Sequence, residues 1–495
     1  MRVCVAITEE TTAAALDRMA ELQPQADLFE LRADFVRDLD LRALVSARGR
    51  PLILTCRPES EGGRWPDADP AGRRHVLAQA VELGFDLVDV EARAGFDEVV
   101  AAKAGHGLVL SWHDFEGTPD GLDSIFERMA ALGPDVVKIA VRARSVGDLG
   151  RLLGFARRRS ESPGRGGPAL LAIAMGPEGT ASRVLGGRHG APFTYAAAAA
   201  GREAAPGQLT ARALVDTYRV RAISPATRVY GLLGSDVLRS LSPAIHNRAF
   251  AALGVDAVYV PLQAESLDAF LRVLPAFDLS GFSVTRPYKQ EILPRLASVA
   301  PAAARAGSVN TVTVCAGGLE GLSTDGEGIL GPLRRRIDPA GRRVVVVGSG
   351  GAARAAAFAL GEAGALVSVA SRNATQAAAL ASAVGGQALP SPEAVASADW
   401  DVLLNATPVG SGALPNAMPV PASALRPGRI VFDMVYEPRD TPLLQAARAR
   451  GCQAIDGVEM LVAQAVGQLE AWLGQAPPLE LLTSVALEAL AEARA

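Results

Sequence analysis

Eight short apolar runs, separated by helix-like stretches, recur through the first 200 residues and limit the fold more than any other feature. Each run is rich in β-branched residues, which favours a buried strand. Strands that alternate with helices at this rhythm form parallel βα units, and eight of them predict a closed (β/α)8 barrel. The predicted strands are residues 3–8, 28–34, 51–57, 87–91, 108–114, 136–141, 170–175 and 192–197.

Charged side chains interrupt these runs at positions that suggest chemistry. Lys138 lies within the sixth run, where an ammonium loses hydration and the neutral, nucleophilic amine is favoured. His113, in the fifth run, can exchange a proton near neutral pH. Glu61, which follows the third run, can orient and charge-stabilise that imidazole. A lone strand lysine commonly snorkels to the surface and a lone histidine is commonly structural. Together on successive strands, these residues predict an imine-forming site.

A second α/β region follows a short linker at residues 222–227. Its clearest feature is a strand of four valines, residues 344–347, that leads through Gly348, Gly350 and Gly351 into an alanine-rich helix. Backbone N–H groups and the helix dipole at such a turn hold a dinucleotide pyrophosphate. The expected fold class is α/β, with an N-terminal (β/α)8 barrel, then an α/β substrate domain and a Rossmann-like dinucleotide-binding domain.

The expected domain boundaries follow from these patterns. The barrel takes residues 1–222, the substrate-binding domain residues 228–335, and the dinucleotide-binding domain residues 336–458. Helices within residues 459–495 are expected to pack back on the substrate-binding domain.

Composition narrows the class of protein. A net charge of −4 over 495 residues, with scattered arginines, gives no indication of a nucleic-acid or anionic membrane partner. No apolar run approaches the length of a membrane span. The four cysteines lie far apart without metal-ligand spacing, which is typical of reduced thiols in the cytosol. We expect a cytoplasmic protein with small-molecule partners and no metal, and the oligomeric state stays open.

The first half resembles the type I 3-dehydroquinate dehydratases over essentially residues 1–221. The resemblance rests on the order and spacing of ELRAD, TCRPESEGG, SWHDF, VKIAV, SRVLG and APGQL. It implies that Lys138 forms a Schiff base with the substrate ketone. It also implies that His113 removes the α-proton and assists loss of the β-hydroxyl, and that Glu61 and Asp89 hold the histidine. The implied substrate-binding residues are Glu30, Arg32, Arg57, Asp89, Arg183 and, in a closing loop, Gln208.

One position departs from this family. Ala204 stands in the closing loop where the family carries a serine. One lost hydrogen bond is worth about 0.5–1.5 kcal/mol, so we expect a weaker grip on the substrate.

The second half resembles the shikimate dehydrogenases over nearly all of residues 228–495. Taken singly, its motifs are ordinary loops with turn formers, and Ser242 with Pro243 is read as a helix cap followed by proline. As an ordered set they carry the resemblance, namely LRSLSPAIHNRAF, GFSVTRPYKQ, AGSVNT, STDGEG, NATPVG, DMVYEP and GVEMLVAQA. It implies that Lys289 and Asp325 are the acid/base pair at the ketone. The implied substrate-binding residues are Ser240, Ser242, Thr285, Asn310, Tyr436 and Gln464.

Two serines of this half stand where other residues are common in the family. Many members carry asparagine at the position of Ser283, although plant-type members share the serine. Asparagine is also commoner at the position of Ser323.

The cofactor is expected to be NADP(H). About 20 residues past the glycines, NAD-dependent folds carry an acid, whereas this chain has Ser371 and Arg372. A guanidinium there suits a 2′-phosphate. Asn373 and Gln376 replace further parts of the family's motif, which predicts a modest preference. The expected cofactor-binding residues are Gly348, Gly350, Gly351, Ala352, Ser371, Arg372, Asn405 and Thr407.

The two resemblances together imply consecutive reactions, the dehydration of 3-dehydroquinate and the NADPH-dependent reduction of 3-dehydroshikimate to shikimate. One alternative makes the second half a quinate/shikimate dehydrogenase, against which Ser242 argues. Another is a non-catalytic regulator that senses pathway metabolites. Such a regulator is expected to have lost catalytic groups, which this chain retains.

Overall fold

The computed structural model describes residues 1–161 and 167–492, and its first half contains an eight-stranded parallel sheet. The strand order is β7-β6-β5-β4-β3-β2-β1-β8. All eight predicted strands are present, and each has at least one parallel neighbour in the sheet. They are β1 Arg2–Ile7, β2 Leu28–Arg32, β3 Leu52–Thr55, β4 Leu87–Glu91, β5 Leu108–Asp114, β6 Val136–Arg142, β7 Ala169–Met175 and β8 Phe193–Ala197.

Helices connect these strands in the alternating order that the sequence predicts. Thr11 and Asp69 cap the first and third helices by accepting from Ala14 N and Gly72 N, which satisfies otherwise unpaired helix donors. The helices are α1 Thr12–Leu22, α2 Leu41–Ser46, α3 Pro70–Glu82, α4 Asp97–Lys103, α5 Leu122–Ala130, α6 Val146–Glu161 and α7 Thr180–Leu185.

The barrel differs from a closed one at a single seam. β7 and β8 stand at opposite ends of the strand order, so the described sheet is nearly closed and not continuous. At the seam, Ala174 N of β7 donates to Ser182 Oγ of α7 at 2.9 Å, and this hydroxyl donates to Gly179 O at 2.8 Å. A side chain of α7 therefore satisfies a strand donor at the seam.

The amphipathic pattern of residues 209–221 predicts a single closing helix after β8, and this prediction is wrong. The structure instead has a π-helical turn at Ala213–Thr217 and a 3-10 turn at Val220–Ala222. Arg219 lies between them with φ of 49°, in the left-handed region, which ends the helix.

A six-stranded sheet follows, in the order β10-β9-β11-β13-β14-β12. Its strands are β9 Arg228–Gly234, β10 Ala257–Gln263, β11 Leu279–Val284, β12 Ser298–Val299, β13 Thr311–Cys315 and β14 Gly318–Leu322. The helices of this region are α8 Ser242–Ala252, α9 Leu267–Phe277, α10 Pro301–Ala306 and α11 Asp325–Arg334.

The dinucleotide unit is a second six-stranded sheet, fully parallel, in the order β17-β16-β15-β18-β19-β20. Alternate valines of β15 face different cores, Val344 and Val346 on one side and Val345 and Val347 on the other. The order reverses between β15 and β18, where open α/β sheets bind ligands at the carboxyl ends of their strands. The elements are β15 Arg343–Val347, α12 Gly351–Glu362, β16 Leu366–Ala370, α13 Ala374–Ala383, β17 Gln387–Leu389, β18 Val402–Asn405, β19 Ile430–Asp433, α14 Pro442–Ala449 and β20 Gln453–Ile455.

Two C-terminal helices, α15 Gly457–Leu473 and α16 Leu479–Glu492, complete the chain. α15 packs against α11 and α8, and α16 packs against α8. Gly328 of α11 permits the close approach, since a Cβ there would lie 3.1 Å from Gln464 Cβ. α15 thereby brings Gln464 next to the start of α11.

Packing divides the chain into two compact units. The first comprises Met1–Gly231, Ser235–Leu238 and Asp256–Leu279, and the second comprises the remaining residues. The first unit includes α9 because this helix packs on α6, where a Cβ at Gly150 would lie 2.5 Å from Val273 Cβ. Within the described ranges, each helix is too short or too polar to cross a bilayer.

Candidate active sites

Lys138 lies inside the barrel, on β6, with its side chain 8% exposed. Its Nζ donates to Asp89 Oδ2 at 3.0 Å and lies 4.4 Å from the centroid of the Tyr195 ring. The apolar strand predicted from the sequence thus presents its lysine to a carboxylate on one side and to an aromatic face on another.

Asp89 belongs to a buried charge network. Arg57 Nη2 lies 2.9 Å from Asp89 Oδ1, and Ser111 Oγ donates to the same carboxylate at 2.6 Å. Burial opposes ionisation of Asp89, but the charges of Arg57 and Lys138 outweigh it and hold the pKa of this carboxyl well below its usual value. Arg57 Nη1 also donates to Glu91 at 2.7 Å. Asp89 is therefore a fixed counter-ion at neutral pH.

His113 and Glu61 form a pair beside this network. His113 Nδ1 lies 2.8 Å from Glu61 Oε2, and the Phe115 ring stacks on the imidazole at 5.9 Å. Burial, followed by the charges of Arg57 and Lys138, lowers the pKa of His113 well below its ordinary value. A neutral imidazole that donates its Nδ1 proton to a carboxylate has a basic Nε2. The pair can thus act as a base at neutral pH.

Arg183 is a buried cation without an ionic partner among the described residues. Its Nη2 donates to Pro206 O at 3.2 Å, whereas its Nε has no hydrogen-bond partner among the described residues. Burial, with no compensating carboxylate, lowers the pKa of this guanidinium to about 10. Buried charges are normally paired, so this position fits an anionic ligand.

Three further predicted binding residues lie in the same barrel interior or at its edge. Thr55 Oγ1 donates to Glu30 at 2.7 Å. Arg32 makes two hydrogen bonds to Asp34, at 2.9 and 2.7 Å, so two of its guanidinium nitrogens already have a protein partner. Gln208 accepts from Ala204 N at 2.7 Å.

Sequence reasoning assigned no role to several residues of this cluster. Glu91 and Ser111 hold Arg57, and Asp34 holds Arg32. Spacing signalled Glu91, which stands two residues after Asp89 and shares its strand face. Tyr195 gave no signal, because an aromatic residue in an apolar run looks like core.

In the second half, Lys289 and Asp325 form a close ion pair. Lys289 Nζ donates to Asp325 Oδ2 at 2.6 Å, and the aspartate side chain is 1% exposed against 19% for the lysine. The lysine is therefore the member of the pair that faces solvent. Asp325 is the first residue of α11, where the helix dipole favours a negative charge.

The side-chain amide of Asn310 holds several groups in place around the Lys289–Asp325 pair. Its Nδ2 donates to Asp325 Oδ1 at 2.7 Å and reaches Gln464 Oε1 at 3.4 Å. Its Oδ1 accepts from Thr311 Oγ1 at 2.7 Å and from Thr324 N at 2.9 Å. Three predicted residues, Asn310, Asp325 and Gln464, thus meet. Gln468, which donates to Asn310 O at 3.3 Å, escaped the sequence analysis.

The remaining predicted substrate residues lie on loops of this unit. Ser240 Oγ donates to Ser242 Oγ at 3.2 Å, so the two hydroxyls are neighbours. The cap position of α8 belongs to Leu241 and not to Ser242. Thr285 follows β11, with its N donating to Leu233 O at 2.9 Å, and Tyr436 is half-buried shortly after β19.

The glycine turn after β15 has the geometry that a pyrophosphate requires. Gly348 has φ of 121°, a backbone conformation that residues with a side chain rarely adopt. It also packs against Thr407. A Cβ at Gly350 or Gly351 would meet no protein atom within 4 Å, so these glycines border open space at the start of α12. Ala352 is in the first turn of that helix. NADP(H) fits this turn.

Groups for the adenosine end lie beyond β16. Ser371 Oγ lies 3.0 Å from Ser349 Oγ. Arg372 is exposed and makes no hydrogen bond or ion pair within the described part of the chain. A free guanidinium at this position suits the 2′-phosphate of NADP(H). Asn373 instead caps α13.

Asn405 and Thr407 shape the loop opposite the glycine turn. Asn405 Oδ1 accepts from Thr407 N at 3.0 Å and from its hydroxyl at 2.7 Å, while Asn405 Nδ2 donates to Asp433 at 2.9 Å. The Asn405 side chain is therefore engaged in holding the loop. Burial raises the pKa of Asp433 to about 6, although Thr441 and other donors oppose this.

Among residues 1–161 and 167–492, His, Cys, Asp and Glu side chains do not gather in groups of three or more that could bind an ion.

Comparisons with known proteins agree with this geometry. Residues 3–225 match the model of type I 3-dehydroquinase. Residues 232–312 match the shikimate dehydrogenase substrate binding domain, and residues 457–487 match the shikimate 5'-dehydrogenase C-terminal domain.

Individual relatives cover one half of the chain or nearly all of it. The bifunctional 3-dehydroquinate dehydratase/shikimate dehydrogenase of Arabidopsis thaliana is 35% identical over 489 residues, which cover 92% of this chain and 79% of the relative. The shikimate dehydrogenase (NADP(+)) of Moorella thermoacetica is 40% identical over 282 residues, 54% of this chain and 95% of the relative. The solved shikimate 5-dehydrogenase of Thermus thermophilus, in complex with NADP(H) and shikimate, is 36% identical and covers 53% of this chain and 100% of its own, with a TM-score of 0.50. The chain belongs to the family of bifunctional 3-dehydroquinate dehydratases/shikimate dehydrogenases.

Proposed function

We propose that Lys138 and His113 carry the dehydration of 3-dehydroquinate to 3-dehydroshikimate. The ammonium of Lys138 and the substrate ketone combine, with loss of one water molecule, to give a protonated imine that withdraws electrons from the neighbouring carbon. Nε2 of the neutral His113 removes the α-proton, and the resulting imidazolium protonates the β-hydroxyl as it leaves. The observation that carries this proposal is the neutral imidazole of His113, which contacts Glu61 beside the charge network that contains Lys138.

The surrounding charges have separate parts in this step. Asp89, ionised and 3.0 Å from Lys138 Nζ, stabilises the positive imine and is too weak a base to remove the α-proton. Arg183, a buried cation with no partner carboxylate in the described part of the chain, binds the carboxylate of the substrate. Glu61 stabilises the imidazolium that forms on His113.

Borohydride trapping tests this assignment. The chain has three lysines, and Lys103 is a matched control because it is also buried and burial lowers its pKa. Reduction in the presence of 3-dehydroquinate is expected to add the mass of the substrate at Lys138 and not at Lys103. Lys138→Ala is expected to abolish dehydration and Lys103→Ala to retain it. Label at another lysine would contradict the proposal.

We infer that Lys289 and Asp325 carry the reduction of 3-dehydroshikimate. The glycine turn after β15 would hold NADPH, which would supply the hydride. The Lys289 ammonium donates a proton to the ketone oxygen as negative charge develops there. Asp325, fixed by Asn310 at 2.7 Å, holds that ammonium at 2.6 Å. The neighbouring hydroxyls of Ser240 and Ser242 bind the substrate carboxylate.

A coupled assay separates the two activities. NADP+ formation from 3-dehydroquinate and NADPH requires both sites, and Lys289→Ala is expected to leave dehydration intact while 3-dehydroshikimate accumulates. Quinate oxidation in place of shikimate oxidation would favour the quinate dehydrogenase alternative.

We also propose the domain boundaries 1–222, 228–335 and 336–458, a cytoplasmic location, and small molecules as the partners of both sites. The four cysteines are all free thiols, which suits a reducing compartment. Cell fractionation tests the location.

A further inference from the structure

The hydroxyl of Tyr195 is a buried polar group to which the mechanism above gives no role. Tyr195 lies on β8 with 4% of its surface exposed, and its hydroxyl has no hydrogen-bond partner among the described residues. Buried hydroxyls are nearly always satisfied, because an unmade hydrogen bond in a low-dielectric interior is costly. A ligand or an intermediate of the barrel site is therefore the expected partner.

Packing places this phenol beside the reacting lysine. Tyr195 is paired with Cys4 of β1, and its ring meets Phe193 edge to face, with centroids 5.4 Å apart. The same ring lies 4.4 Å from Lys138 Nζ. No hydrogen bond joins the phenol to Nζ, so the hydroxyl is free to meet a group that becomes attached to this nitrogen.

The charges around Tyr195 make it a donor. Burial, together with the negative charges of Glu30 and Asp89, raises the pKa of this phenol well above its ordinary value. It therefore keeps its proton throughout the reaction and can donate a hydrogen bond without acting as a base.

We propose that the Tyr195 hydroxyl binds the oxygen atom that leaves and re-enters the substrate carbon while the imine on Lys138 forms and hydrolyses. This inference rests on the proposed Schiff base.

The chemistry balances without another reactant. The Lys138 ammonium and the ketone give the protonated imine and one water molecule. The carbon–oxygen bond breaks as the carbon–nitrogen double bond forms, and both hydrogens of the water come from nitrogen. Through the intermediate carbinolamine, Tyr195 donates a hydrogen bond to the departing oxygen, and hydrolysis retraces these steps.

Oxygen exchange tests the proposal in the full-length protein. Exchange of the ketone oxygen of 3-dehydroshikimate with ¹⁸O-labelled water, without NADPH, reports imine formation and hydrolysis alone. Tyr195→Phe keeps the ring against Lys138 and removes only the hydroxyl. We expect exchange about three- to tenfold slower per site, the effect of one hydrogen bond, with an unchanged KM. Sites are counted by borohydride trapping, so a variant that folds poorly is corrected for its loss of sites.

Two controls keep the outcomes distinct. Tyr218→Phe removes another buried phenol, one whose pKa is raised by burial alone and by no nearby charge, and is expected to exchange as the wild type does. Lys138→Ala is expected to abolish exchange; retained exchange there overturns the Schiff base itself. If Tyr195→Phe exchanges oxygen as fast per trapped site as the wild type does, while Lys138→Ala is inactive, only the role of Tyr195 is overturned.

Discussion

The surroundings of His113 keep its imidazole neutral, which predicts how the rate of dehydration depends on pH. Its pKa is lowered, so the imidazole stays unprotonated through neutral pH and gains a proton only well below 6.5. We expect kcat/KM for dehydration to fall on the acid side only at pH well below 6.5, if His113 is the base. Steady-state rates between pH 4 and 8 measure this, and an acid limb centred at or above 6.5 would contradict the assignment.

Glu61 is expected to act through the charge that it provides to His113. His113 Nδ1 lies 2.8 Å from Glu61 Oε2. Glu61→Gln keeps an acceptor for the proton on Nδ1 but removes the charge that stabilises the imidazolium. Charged hydrogen bonds are worth about 1.5–3 kcal/mol, so kcat for dehydration should fall about ten- to a hundredfold. Glu59→Gln, an exposed change in the same 3-10 turn, is the control, and equal losses in both variants would argue for a disturbed turn.

Arg372 is proposed to discriminate between NADPH and NADH. It is exposed and unpaired within the described residues, so its guanidinium is available to a 2′-phosphate. Arg372→Ala is expected to raise the KM for NADPH about ten- to a hundredfold and to leave the KM for NADH nearly unchanged. Arg342→Ala, just before β15 at its other end, is the control. An equal effect on both cofactors would exclude the phosphate contact.

The sequence predicted which side chains gather and that Glu61 contacts His113, but it did not predict the partners of Asp89. The motifs placed Lys138, His113 and Glu61 in one barrel, since each follows or interrupts a recognisable strand. The resemblance assigned Asp89 to the histidine, whereas its hydrogen bonds in this structure go to Lys138 and Ser111. These partners depend on packing between strands distant in sequence, and local pattern does not contain that information.

Strand β19 ends in a buried carboxyl whose ionisation opposes folding. Asp433 accepts from Thr441 Oγ1 at 2.6 Å and from Asn405 at 2.9 Å, and burial raises its pKa to about 6. Because the folded pKa exceeds the unfolded value near 3.9, the folded state binds more protons between pH 4 and 6. Stability is therefore greatest below about pH 4 for this group and is lost as pH rises through 6.

Asp433→Asn tests this linkage. The amide is isosteric and does not titrate. Relative to the variant, the wild type is expected to lose on the order of 3 kcal/mol of unfolding free energy between pH 4 and 7, which is the amount that corresponds to the pKa shift. Urea unfolding at several pH values, read as the difference between wild type and variant, isolates this group. Asp401→Asn is a control of opposite sign, because a hydrogen bond from Arg343 lowers the pKa of Asp401 to about 2. Parallel pH profiles for wild type and Asp433→Asn would refute the linkage.

The barrel strands were more predictable from the sequence than the places where strands and helices meet or end. Continuous β-branched runs identified all eight barrel strands within a few residues, because burial on both faces selects the same composition everywhere. The seam between β7 and β8 was not predictable, since a serine of α7 replaces a strand partner there. The break at Arg219 likewise depends on one residue with φ of 49°, which the periodicity of its neighbours does not reveal.

For the whole chain, the predicted fold class, the two enzyme activities and the NADP cofactor are confirmed by the relatives and family models described above. The domain boundaries stay predictions. They separate all residues proposed for one reaction from those proposed for the other, and each compact unit contains the residues proposed for one of the two reactions. Separate polypeptides of residues 1–222 and 226–495 are therefore expected to dehydrate and to reduce, respectively.

Separation should nevertheless cost the barrel part of its stability. In the full chain α9 covers α6, with Val273 against Gly150, and Arg157 donates to Pro275 O at 2.8 Å. A polypeptide of residues 1–222 lacks α9 and exposes this apolar face. We expect its dehydratase turnover per trapped Lys138 to match that of the full chain, while its melting temperature is lower. Val273→Ala in the full chain removes only part of the cover and should give a smaller decrease. A folded fragment that is inactive would show that the dehydratase needs residues beyond 222, and an unchanged melting temperature would show that α9 does not stabilise the barrel.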